Sequence, residues 1–245
     1  MIISIHQPDF LPWLGFFNKV RLSDMLVIGD QVQYTYKGYQ NRNKIKTAKG
    51  AHWLTTPIVR DWGQALNKVK ISEEARNGVS WDELHLRTLR VNYSKAPFYD
   101  KYIGLFENIY RKKIKLLADN NMEFLKTIFE ILGIDVQIKK ASEMVLTSTK
   151  SEQIIGICKT LGADAYLSGT GGLHYIERNL FETNGVKLLF NNYSHPVYPQ
   201  QFMNLGFLPN MSVIDLIFNA GPESLEIIKS GFKGYELNPI PQQNT

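Results

Sequence analysis

The sequence predicts an α/β fold with a mostly parallel central sheet, flanking helices in a Rossmann-like arrangement, and an inserted lobe of helices and short strands. Two observations support this fold class. Short apolar runs, typical of buried strands, alternate with amphipathic segments that carry helix-capping signals. In the first half of the chain, longer helical segments and short strand-like runs interrupt this alternation. The strands predicted for the central sheet cover residues 2–6, 25–29, 135–139, 165–168 and 187–191.

The composition is that of a globular protein. The chain has 245 residues, of which 44% are hydrophobic, enough to build a sizeable core. It contains no run of about eighteen apolar residues that would predict a membrane span, and no basic leader precedes the first strand, so we expect a cytoplasmic protein. The formal net charge of +5 is modest for this length and favours an anionic small-molecule ligand at least as much as a nucleic acid.

Cysteine and histidine usage argues against two kinds of site. The single cysteine, Cys158, excludes an internal disulfide and a cysteine-based zinc cluster, and it fits a reducing compartment. It falls on the apolar face of a predicted helix, where a small buried side chain is its expected role. The five histidines are scattered without metal-ligand spacing, so no metal is predicted. No motif identifies a cofactor, which leaves its identity unknown at this level.

The N-terminal region is predicted to form a strand, a helix, a second strand and a polar loop. Pro12 suits the first turn of the helix, where its missing N–H costs nothing. The second strand closes at Gly29–Asp30, and such a strand–helix–strand unit is right-handed. The loop over residues 31–50 is long for a simple connection, and its tyrosines either stack a base or sugar ring or lie on a half-exposed strand face. Two short strands are predicted to follow, at residues 52–58 and 68–72, around a surface loop at residues 61–63.

The middle of the chain becomes helical. A capping-box pattern at Ser80-Trp81-Asp82-Glu83 places a helix over residues 80–93. Apolar residues at helical spacing over residues 98–132 predict two further helices that separate near residues 118–121. Gly133 is expected to end the second of them.

The C-terminal half repeats the strand–turn–helix pattern. A second capping box at Thr149-Lys150-Ser151-Glu152 opens a helix that Gly162 ends. The strand at residues 165–168 then runs into a glycine-rich turn at residues 169–172 and a helix over residues 173–183. After the last strand we expect short helices at residues 211–219 and 222–230 and then a polar tail.

We expect a single domain over residues 1–245. Its α/β core would consist of residues 1–30 and 133–220, and the inserted lobe of residues 31–132. The C-terminal helix and tail would occupy residues 221–245. Because the lobe breaks the strand–helix alternation, it is expected to cover one end of the sheet.

His6 and Asp30 are the candidate catalytic residues. Both follow predicted parallel strands, and the ligands of open α/β sheets bind just outside the carboxyl ends of the strands. An imidazole titrates near neutral pH, so His6 suits a general base, with Asp30 fixing its tautomer and Gln7 orienting the substrate. The alternative is structural: a histidine whose hydrogen bonds the backbone satisfies, and an aspartate in an ordinary Gly-Asp turn.

Two loops carry candidate ligand-binding residues. The glycine-rich turn offers backbone N–H groups that can cradle a phosphate or carboxylate ahead of the next helix. It lacks the lysine and the spacing of a P-loop, and its glycines could instead serve only a tight turn. In the N-terminal loop, the planar guanidinium of Arg42 suits an anion, the alternative being a solvated surface loop. The candidates in the two loops are Ser168, Gly169 and Gly172, and Asn41, Arg42 and Asn43.

Several segments resemble the WbqC-like family. The resemblance rests on residues 5–17 (IHQPDFLPWLGFF), 29–34 (GDQVQY), 40–43 (QNRN), 53–57 (WLTTP), 166–169 (YLSG), Tyr198 and 212–215 (SVID). It therefore spans nearly the whole chain and adds Tyr198 and Asp215 to the substrate-binding candidates. The resemblance implies a cytoplasmic bacterial protein associated with the synthesis of O-antigen and other surface glycans.

The resemblance implies a pathway, and the candidate residues suggest a reaction. We expect a transferase that moves an acyl or aminoacyl group onto an amino group of a nucleotide-linked deoxysugar. Its partners would be this nucleotide-linked sugar, or another anionic small molecule, and an acyl donor whose identity stays open. A nucleic acid is expected only as a possible aminoacyl-tRNA donor. The alternatives are a nucleotidyltransferase-like enzyme and a non-catalytic nucleotide-sugar binding module.

Overall fold

The computed structural model describes residues 1–61, 63–146 and 150–236. Within these ranges the strands are β1 (Ile2–His6), β2 (Met25–Ile28), β3 (Arg42–Thr47), β4 (Gly50–Thr55), β5 (Gln137–Lys140), β6 (Ala165–Ser168), β7 (Lys187–Tyr193) and β8 (Phe232–Glu236). The α-helices are α1 (Leu14–Arg21), α2 (Trp81–Tyr93), α3 (Tyr99–Arg111), α4 (Leu117–Leu132), α5 (Lys150–Leu161), α6 (Arg178–Thr183), α7 (Val213–Ala220) and α8 (Ser224–Ser230).

Six strands form one mixed sheet in the order β5–β2–β1–β6–β7–β8. All neighbouring strands from β5 to β7 are parallel, and β8 pairs antiparallel with β7. The mostly parallel α/β fold is therefore confirmed, together with the five strands predicted for it. Strand β8 is an additional edge strand in a stretch that the sequence predicts to be part of the C-terminal tail. Its residues alternate between half-buried and exposed, as on a strand with one solvated face.

Helices cover both faces of the sheet. Successive side chains of β2 point to opposite sides. Leu26 and Ile28 pack in one hydrophobic cluster with α1, α4, α7 and α8, whereas Met25 and Val27 pack in a second cluster with α5 and α6. Because both faces are covered, all four residues of β2 are buried, and the strand is a continuous apolar run in the sequence.

The chain changes direction across the sheet between β1 and β6, which are neighbours. Helix α1 follows β1 on the first face and leads to β2 on one side. Helix α6 follows β6 on the second face and leads to β7 on the other side. Connections that leave two adjacent parallel strands toward opposite faces open a crevice at the carboxyl ends of those strands. This topological switch point is where the fold places its candidate site.

Residues 31–132 contain the antiparallel β3–β4 hairpin and helices α2, α3 and α4. Many of their buried side chains, among them Ile45, Tyr93 and Phe106, belong to the same hydrophobic cluster as Phe10 and Phe17 beside the sheet, whereas Leu117 of α4 belongs to a smaller separate cluster. None of the helices in the described ranges combines the length and the apolar character that crossing a bilayer requires. The division of the chain into core, inserted lobe and C-terminal tail stays a prediction.

Several boundaries in this region differ from the predictions. Strand β3 lies in the segment that was expected to be a loop. It forms a strand because its backbone pairs with β4, and its polar sequence gives no sign of this partner. Residues 68–72 form only isolated bridges, such as that between Lys70 and Leu116, instead of a strand. The break between α3 and α4 falls at residues 112–116, where Lys113 has a φ of +48° that an α-helix cannot contain.

Helix ends follow the predictions unevenly. Gly133 and Gly162 end α4 and α5 with φ values of +65° and +67°, as expected of C-terminal glycines. Pro12 lies ahead of α1, whose N-cap residue is Trp13. The glycine-rich turn continues as a short 3-10 helix, Thr170–His174, and α6 begins only at Arg178. Parts of the predicted surface loop, capping box and tail lie outside the described residues, at Trp62, Thr149 and 237–245.

Candidate functional site

A cavity of about 150 Å³ opens at the switch point between β1 and β6. We call it the switch-point crevice. It joins the end of β1, the first turn of α1, the glycine-rich turn after β6 and the end of β7. Its lining residues are His6, Trp13, Gly15, Phe16, Lys19, Gly169, Thr170, Gly171, Asn191 and Tyr193. The structure therefore brings His6 and the glycine-rich turn together, although Gly169 lies 163 positions after His6 in the sequence.

One ring nitrogen of His6, Nε2, has no hydrogen-bond partner among the residues that the structure describes. Its Nδ1 lies 2.9 Å from the carbonyl oxygen of Gln7, which can only accept a hydrogen bond, so Nδ1 carries the proton and Nε2 keeps a lone pair. The ring packs edge-on against Phe16, with the centroids 4.8 Å apart. Burial, and next the charge of Lys19, lower the pKa of His6 to about 3. The side chain still keeps 28% of its surface exposed, so a ligand can reach the neutral imidazole.

Lys19 and Asp9 are two further ionisable residues beside His6. Lys19 is only 4% exposed, and its Nζ donates a hydrogen bond to the carbonyl of Ile5 at 3.1 Å. Burial lowers the pKa of Lys19 to about 8, and the charge of Asp9 partly opposes this shift. Burial likewise raises the pKa of Asp9 to about 7, against the attraction of Lys19. The Asp9 carboxylate lies 3.7 Å from His6 Nδ1, so three coupled groups meet at this strand end.

Asp30 does not contact His6, contrary to the role expected for it. Its Oδ1 accepts a hydrogen bond from the backbone N–H of Ser142 at 3.0 Å, and its Oδ2 accepts one from the Ser142 hydroxyl at 2.6 Å. The carboxylate is buried and joins the loop after β2 to the loop after β5. The tautomer of His6 is fixed instead by the carbonyl of Gln7. Both carboxylate oxygens of Asp30 are thus engaged by Ser142, and a catalytic role for Asp30 stays a prediction.

The glycine-rich turn divides into open and packed positions. A Cβ atom on Gly169 or Gly171 would meet nothing within 4 Å, so the backbone there is accessible from the crevice. A Cβ on Gly172 would lie 2.1 Å from the Ser168 hydroxyl oxygen and 2.7 Å from a methyl group of Ile176. Ser168 is buried and donates to the Gly169 carbonyl. Gly169 thus remains a binding candidate, whereas Ser168 and Gly172 pack the turn. The turn was expected to lead into a helix whose positive end would attract an anion. A 3-10 helix of only five residues follows instead, so this contribution is weak.

The end of β7 contributes residues that the sequence analysis missed. Asn191 accepts a hydrogen bond from Asn18 at 2.7 Å and donates one to the carbonyl of Gly15 at 3.2 Å, which ties β7 to α1. The hydroxyl of Tyr193 is buried and has no hydrogen-bond partner within the described part of the chain. Both residues lie where a parallel strand ends in polar side chains, the same signal that identified His6. That rule, applied to the last parallel strand, would have found them.

A second and larger cavity, of about 660 Å³, lies within the loops that follow β2 and β4. We call it the loop pocket. Its lining residues are Gln33, Tyr34, Thr35, Tyr36, Lys37, Asn41, Arg42, Thr55, Pro57, Ile58, Arg60, Asp61 and Gly63. It therefore contains two of the residues expected to bind an anion, Asn41 and Arg42. The third, Asn43, is buried and donates to the carbonyl of Leu11 at 2.7 Å, so it holds the turn before α1 instead.

Gln7 belongs to a hydrogen-bonded path between residues of the two cavities. Its side-chain oxygen accepts a hydrogen bond from the amide of Gln40. The side-chain oxygen of Gln40 in turn accepts a hydrogen bond from the backbone N–H of Thr35, with the nitrogen and oxygen 3.0 Å apart. Thr35 lines the loop pocket. Since Gln7 directly follows His6, a short hydrogen-bonded path runs from the switch-point crevice to the loop pocket. The sequence placed Gln7 near the ligand but did not show this connection.

Tyr198 and Asp215 lie away from both cavities, in a buried polar network. Asp215 accepts hydrogen bonds from the hydroxyls of Tyr93 and Tyr198, at 2.6 and 2.8 Å, and from the amide of Gln200 at 2.8 Å. Burial raises the pKa of Asp215, and these three donors partly oppose the shift. The network joins α2, α7 and the loop after β7. Neither residue is in the lining of the switch-point crevice or of the loop pocket, and their role in substrate binding stays a prediction. Among the described residues, no cluster of three or more histidine, cysteine, aspartate or glutamate side chains has a metal-binding arrangement.

Comparison with known proteins gives a family but no established activity. The model of the WbqC-like protein family matches residues 7–227 of the chain. A similar protein of Mycobacterium tuberculosis, described as uncharacterized protein Rv1507c, is 29% identical over 230 residues, which cover 93% of this chain and 97% of that protein. No solved structure gives a significant match. The family match covers His6's neighbour Gln7, both loops of the candidate site and most of the fold. The chain belongs to the WbqC-like protein family.

Proposed function

We propose that this protein is a cytoplasmic enzyme of bacterial surface-glycan (O-antigen) biosynthesis that transfers an acyl or aminoacyl group to an amino group of a nucleotide-linked deoxysugar. The observation that carries the proposal is the free Nε2 of His6 in the switch-point crevice, beside Lys19 and the open backbone of Gly169 and Gly171. A neutral imidazole with an accessible lone pair can accept a proton, and the groups around it favour negative charge. With a pKa of about 3 in the free protein, His6 is a weak base, so the proposal requires that the bound anionic substrate raise this pKa. The resemblance to the WbqC-like family supplies the pathway.

In this reaction the sugar amine attacks the carbonyl carbon of the acyl donor. A C–N bond forms, and the bond from that carbon to the leaving group of the donor breaks, the leaving group taking the electron pair. His6 accepts the proton that the amine loses. The Lys19 ammonium and the backbone N–H groups of the open turn stabilise the oxyanion that develops on the carbonyl oxygen. An activated ester, such as an aminoacyl-tRNA, or a thioester would supply the acyl group.

Nucleotidyl transfer is the second candidate, and one specific observation favours it. The fold places a histidine at the end of β1 and a Ser-Gly turn after β6 around one crevice, at the point where open sheets bind nucleotides. In this case a sugar phosphate would attack the α-phosphorus of a nucleoside triphosphate and release pyrophosphate. Lys19 would then face phosphate oxygens instead of an acyl oxyanion. Both candidates place their reacting atoms at the same crevice.

The test is turnover by the purified full-length chain. Nucleotide-linked amino sugars are incubated with aminoacyl or acyl donors, and the amide product is measured by mass spectrometry. We expect His6→Asn to lower the rate by ~10²–10⁴-fold, as is typical of a lost acid–base group. His52→Asn, at an exposed position on β4, is the matched control and should keep the wild-type rate.

Three results would contradict this proposal, the first in its choice of base and the other two in its reaction. Wild-type turnover in the His6→Asn protein would exclude His6 as the base. Pyrophosphate release from a nucleoside triphosphate and a sugar phosphate, lost in His6→Asn, would favour nucleotidyl transfer. Saturable binding of a nucleotide-linked sugar with no product from any donor would identify a binding module.

A further inference from the structure

The loop pocket is large, open and cationic. Its volume of about 660 Å³ lies in the range of roughly 300–1,000 Å³ that is typical of small-molecule sites. Three basic side chains line it, Lys37, Arg42 and Arg60, against a single carboxylate, Asp61. In the part of the chain that the structure describes, none of the three has a carboxylate within ion-pair distance. The pocket therefore has positive charge that its own side chains do not neutralise.

Arg42 is held in a fixed orientation. Its Nε and one terminal nitrogen donate to the carbonyls of Gly38 and Lys37, at 3.3 and 2.7 Å. Its guanidinium carbon lies 4.2 Å from the centroid of the Trp53 ring, a cation–π contact. These contacts leave the remaining terminal nitrogen of the guanidinium available to a ligand. A pre-oriented guanidinium is well suited to phosphate oxygens, because little side-chain entropy is lost on binding.

Two tyrosines give the pocket aromatic walls. The Tyr34 hydroxyl donates to the side-chain oxygen of Asn41 at 3.0 Å, and Asn41 donates to the carbonyl of Thr56 at 2.8 Å, so this wall is rigid. Tyr36 is 55% exposed, and the guanidinium carbon of Arg60 lies 5.6 Å from its ring centroid. Lys37 Nζ also lies over this ring, 5.9 Å from the centroid. A flat heterocycle can stack on the exposed part of the ring while its phosphates draw the two cations to themselves.

We propose that the loop pocket binds a nucleoside diphosphate group, with the base stacked on Tyr36 and the diphosphate held by Arg42, Arg60 and Lys37. The hydrogen-bonded path through Gln40 and Gln7 links a wall of the pocket to the residue beside His6. In the proposed reaction, the pocket would hold the nucleotide and the sugar would have to reach His6. This inference rests on the proposed function for the identity of the whole substrate. The binding of the nucleotide itself does not depend on any reaction.

Isothermal titration calorimetry of the full-length chain tests the proposal. The ligands are dTDP, UDP, GDP and ADP, with pyrophosphate and thymidine as the two halves of one of them. We expect at least one nucleoside diphosphate to bind much more tightly than either half. Arg60→Gln should weaken that binding about tenfold or more, since it removes a charge-assisted contact. Tyr36→Leu should weaken it roughly fivefold or more through lost stacking.

The controls separate this proposal from the proposed function. Arg76→Gln changes an exposed arginine outside the pocket and should bind the nucleotide as the wild type does. His6→Asn should also keep the affinity, because His6 lines the other cavity. Thermal unfolding of each variant verifies that it is folded. A wild-type protein that binds the nucleotide but forms no product with any donor would thus refute the reaction and leave the nucleotide site supported.

Three outcomes would overturn the nucleotide site. The first is that none of the four nucleotides binds. The second is that pyrophosphate binds as tightly as the nucleoside diphosphates, which would indicate a simple anion site. The third is that Arg60→Gln and Tyr36→Leu, both folded, bind a nucleoside diphosphate with wild-type affinity.

Discussion

Asp30 directs both of its carboxylate oxygens to Ser142, at 3.0 Å to the backbone nitrogen and 2.6 Å to the hydroxyl. The contact joins two loops at the carboxyl ends of neighbouring strands, 112 residues apart in the sequence. It leaves the carboxylate without a role at His6. A residue that the sequence predicts to assist catalysis therefore stabilises the frame around the site.

The first prediction follows from this contact. Asp30→Ala should lower the free energy of unfolding by about 1–3 kcal/mol, because it leaves a buried N–H and a hydroxyl without their acceptor. Turnover per folded molecule should change by less than about threefold. Urea unfolding and a rate assay under native conditions measure the two quantities. A stable Asp30→Ala protein without activity would return Asp30 to the catalytic site.

The second prediction concerns the pH dependence of kcat/KM. An ordinary histidine base would give an acidic limb near pH 6.5. The pKa of His6 is lowered to about 3, so its imidazole is already neutral above about pH 4, and no limb from His6 is expected near 6.5. Lys19, with a pKa of about 8, should instead give a basic limb, because it loses the charge that stabilises the oxyanion.

Lys19→Arg is the variant that tests this assignment. An arginine keeps its charge throughout the measurable range, so the basic limb near pH 8 should move upward or disappear. A limb near pH 6.5 that persists in Lys19→Arg and in Asp9→Asn would show that His6 titrates normally and that its burial is relieved in the working enzyme.

The third prediction concerns stability and Asp9. Its pKa is raised from 3.8 to about 7 in the folded protein, so between these values the native state binds a proton that the unfolded chain has lost. Its contribution to stability is therefore present below about pH 4 and is lost as the pH rises to about 7. Asp9→Asn removes this loss. The variant should gain on the order of 1–3 kcal/mol relative to the wild type between pH 4 and 7.

Urea unfolding at several pH values measures the difference between the Asp9→Asn and wild-type proteins. Asp135→Asn, which changes an exposed carboxyl group, should run parallel to the wild type over the same range. A constant difference between Asp9→Asn and the wild type from pH 4 to 7 would contradict the raised pKa.

The fourth prediction compares two glycines of one turn. A Cβ on Gly172 would lie 2.1 Å from the Ser168 hydroxyl oxygen, whereas a Cβ on Gly171 would meet nothing within 4 Å. Gly172→Val should therefore cost about 1–3 kcal/mol of stability through overpacking, and Gly171→Ala less than about 0.5 kcal/mol. Equal unfolding midpoints for the two variants would be inconsistent with the packing described.

The sequence predicted the sheet well because its signal is local. The parallel strands β1, β2, β6 and β7 are short apolar runs, and burial on both faces requires such runs whatever the rest of the chain does. A strand that ends in polar residues next to proline or glycine also marks its own carboxyl end. His6 and the turn at Gly169 were predicted in this way, and both line the switch-point crevice.

The partners of the polar side chains were decided only by tertiary structure. Asp30 could have faced His6 or any loop nearby, and nothing in its neighbours along the chain selects Ser142. Lys19 falls on a short amphipathic helix where a lysine is normally solvated, and only the packing of α1 against the sheet buries it beside Asp9. Burial then shifts the pKa values of both residues toward neutrality.

The same reason separates Asp215 from Arg42, although both were binding candidates. Asp215 meets Tyr93 across 122 residues of sequence and becomes a buried acceptor, while Arg42 is placed by a hairpin at the wall of an open pocket. The spacing of apolar residues reflects which positions are buried, and this spacing can be seen in the sequence. A polar side chain's role depends on which distant segment folds against it, and that is fixed only when the whole core packs.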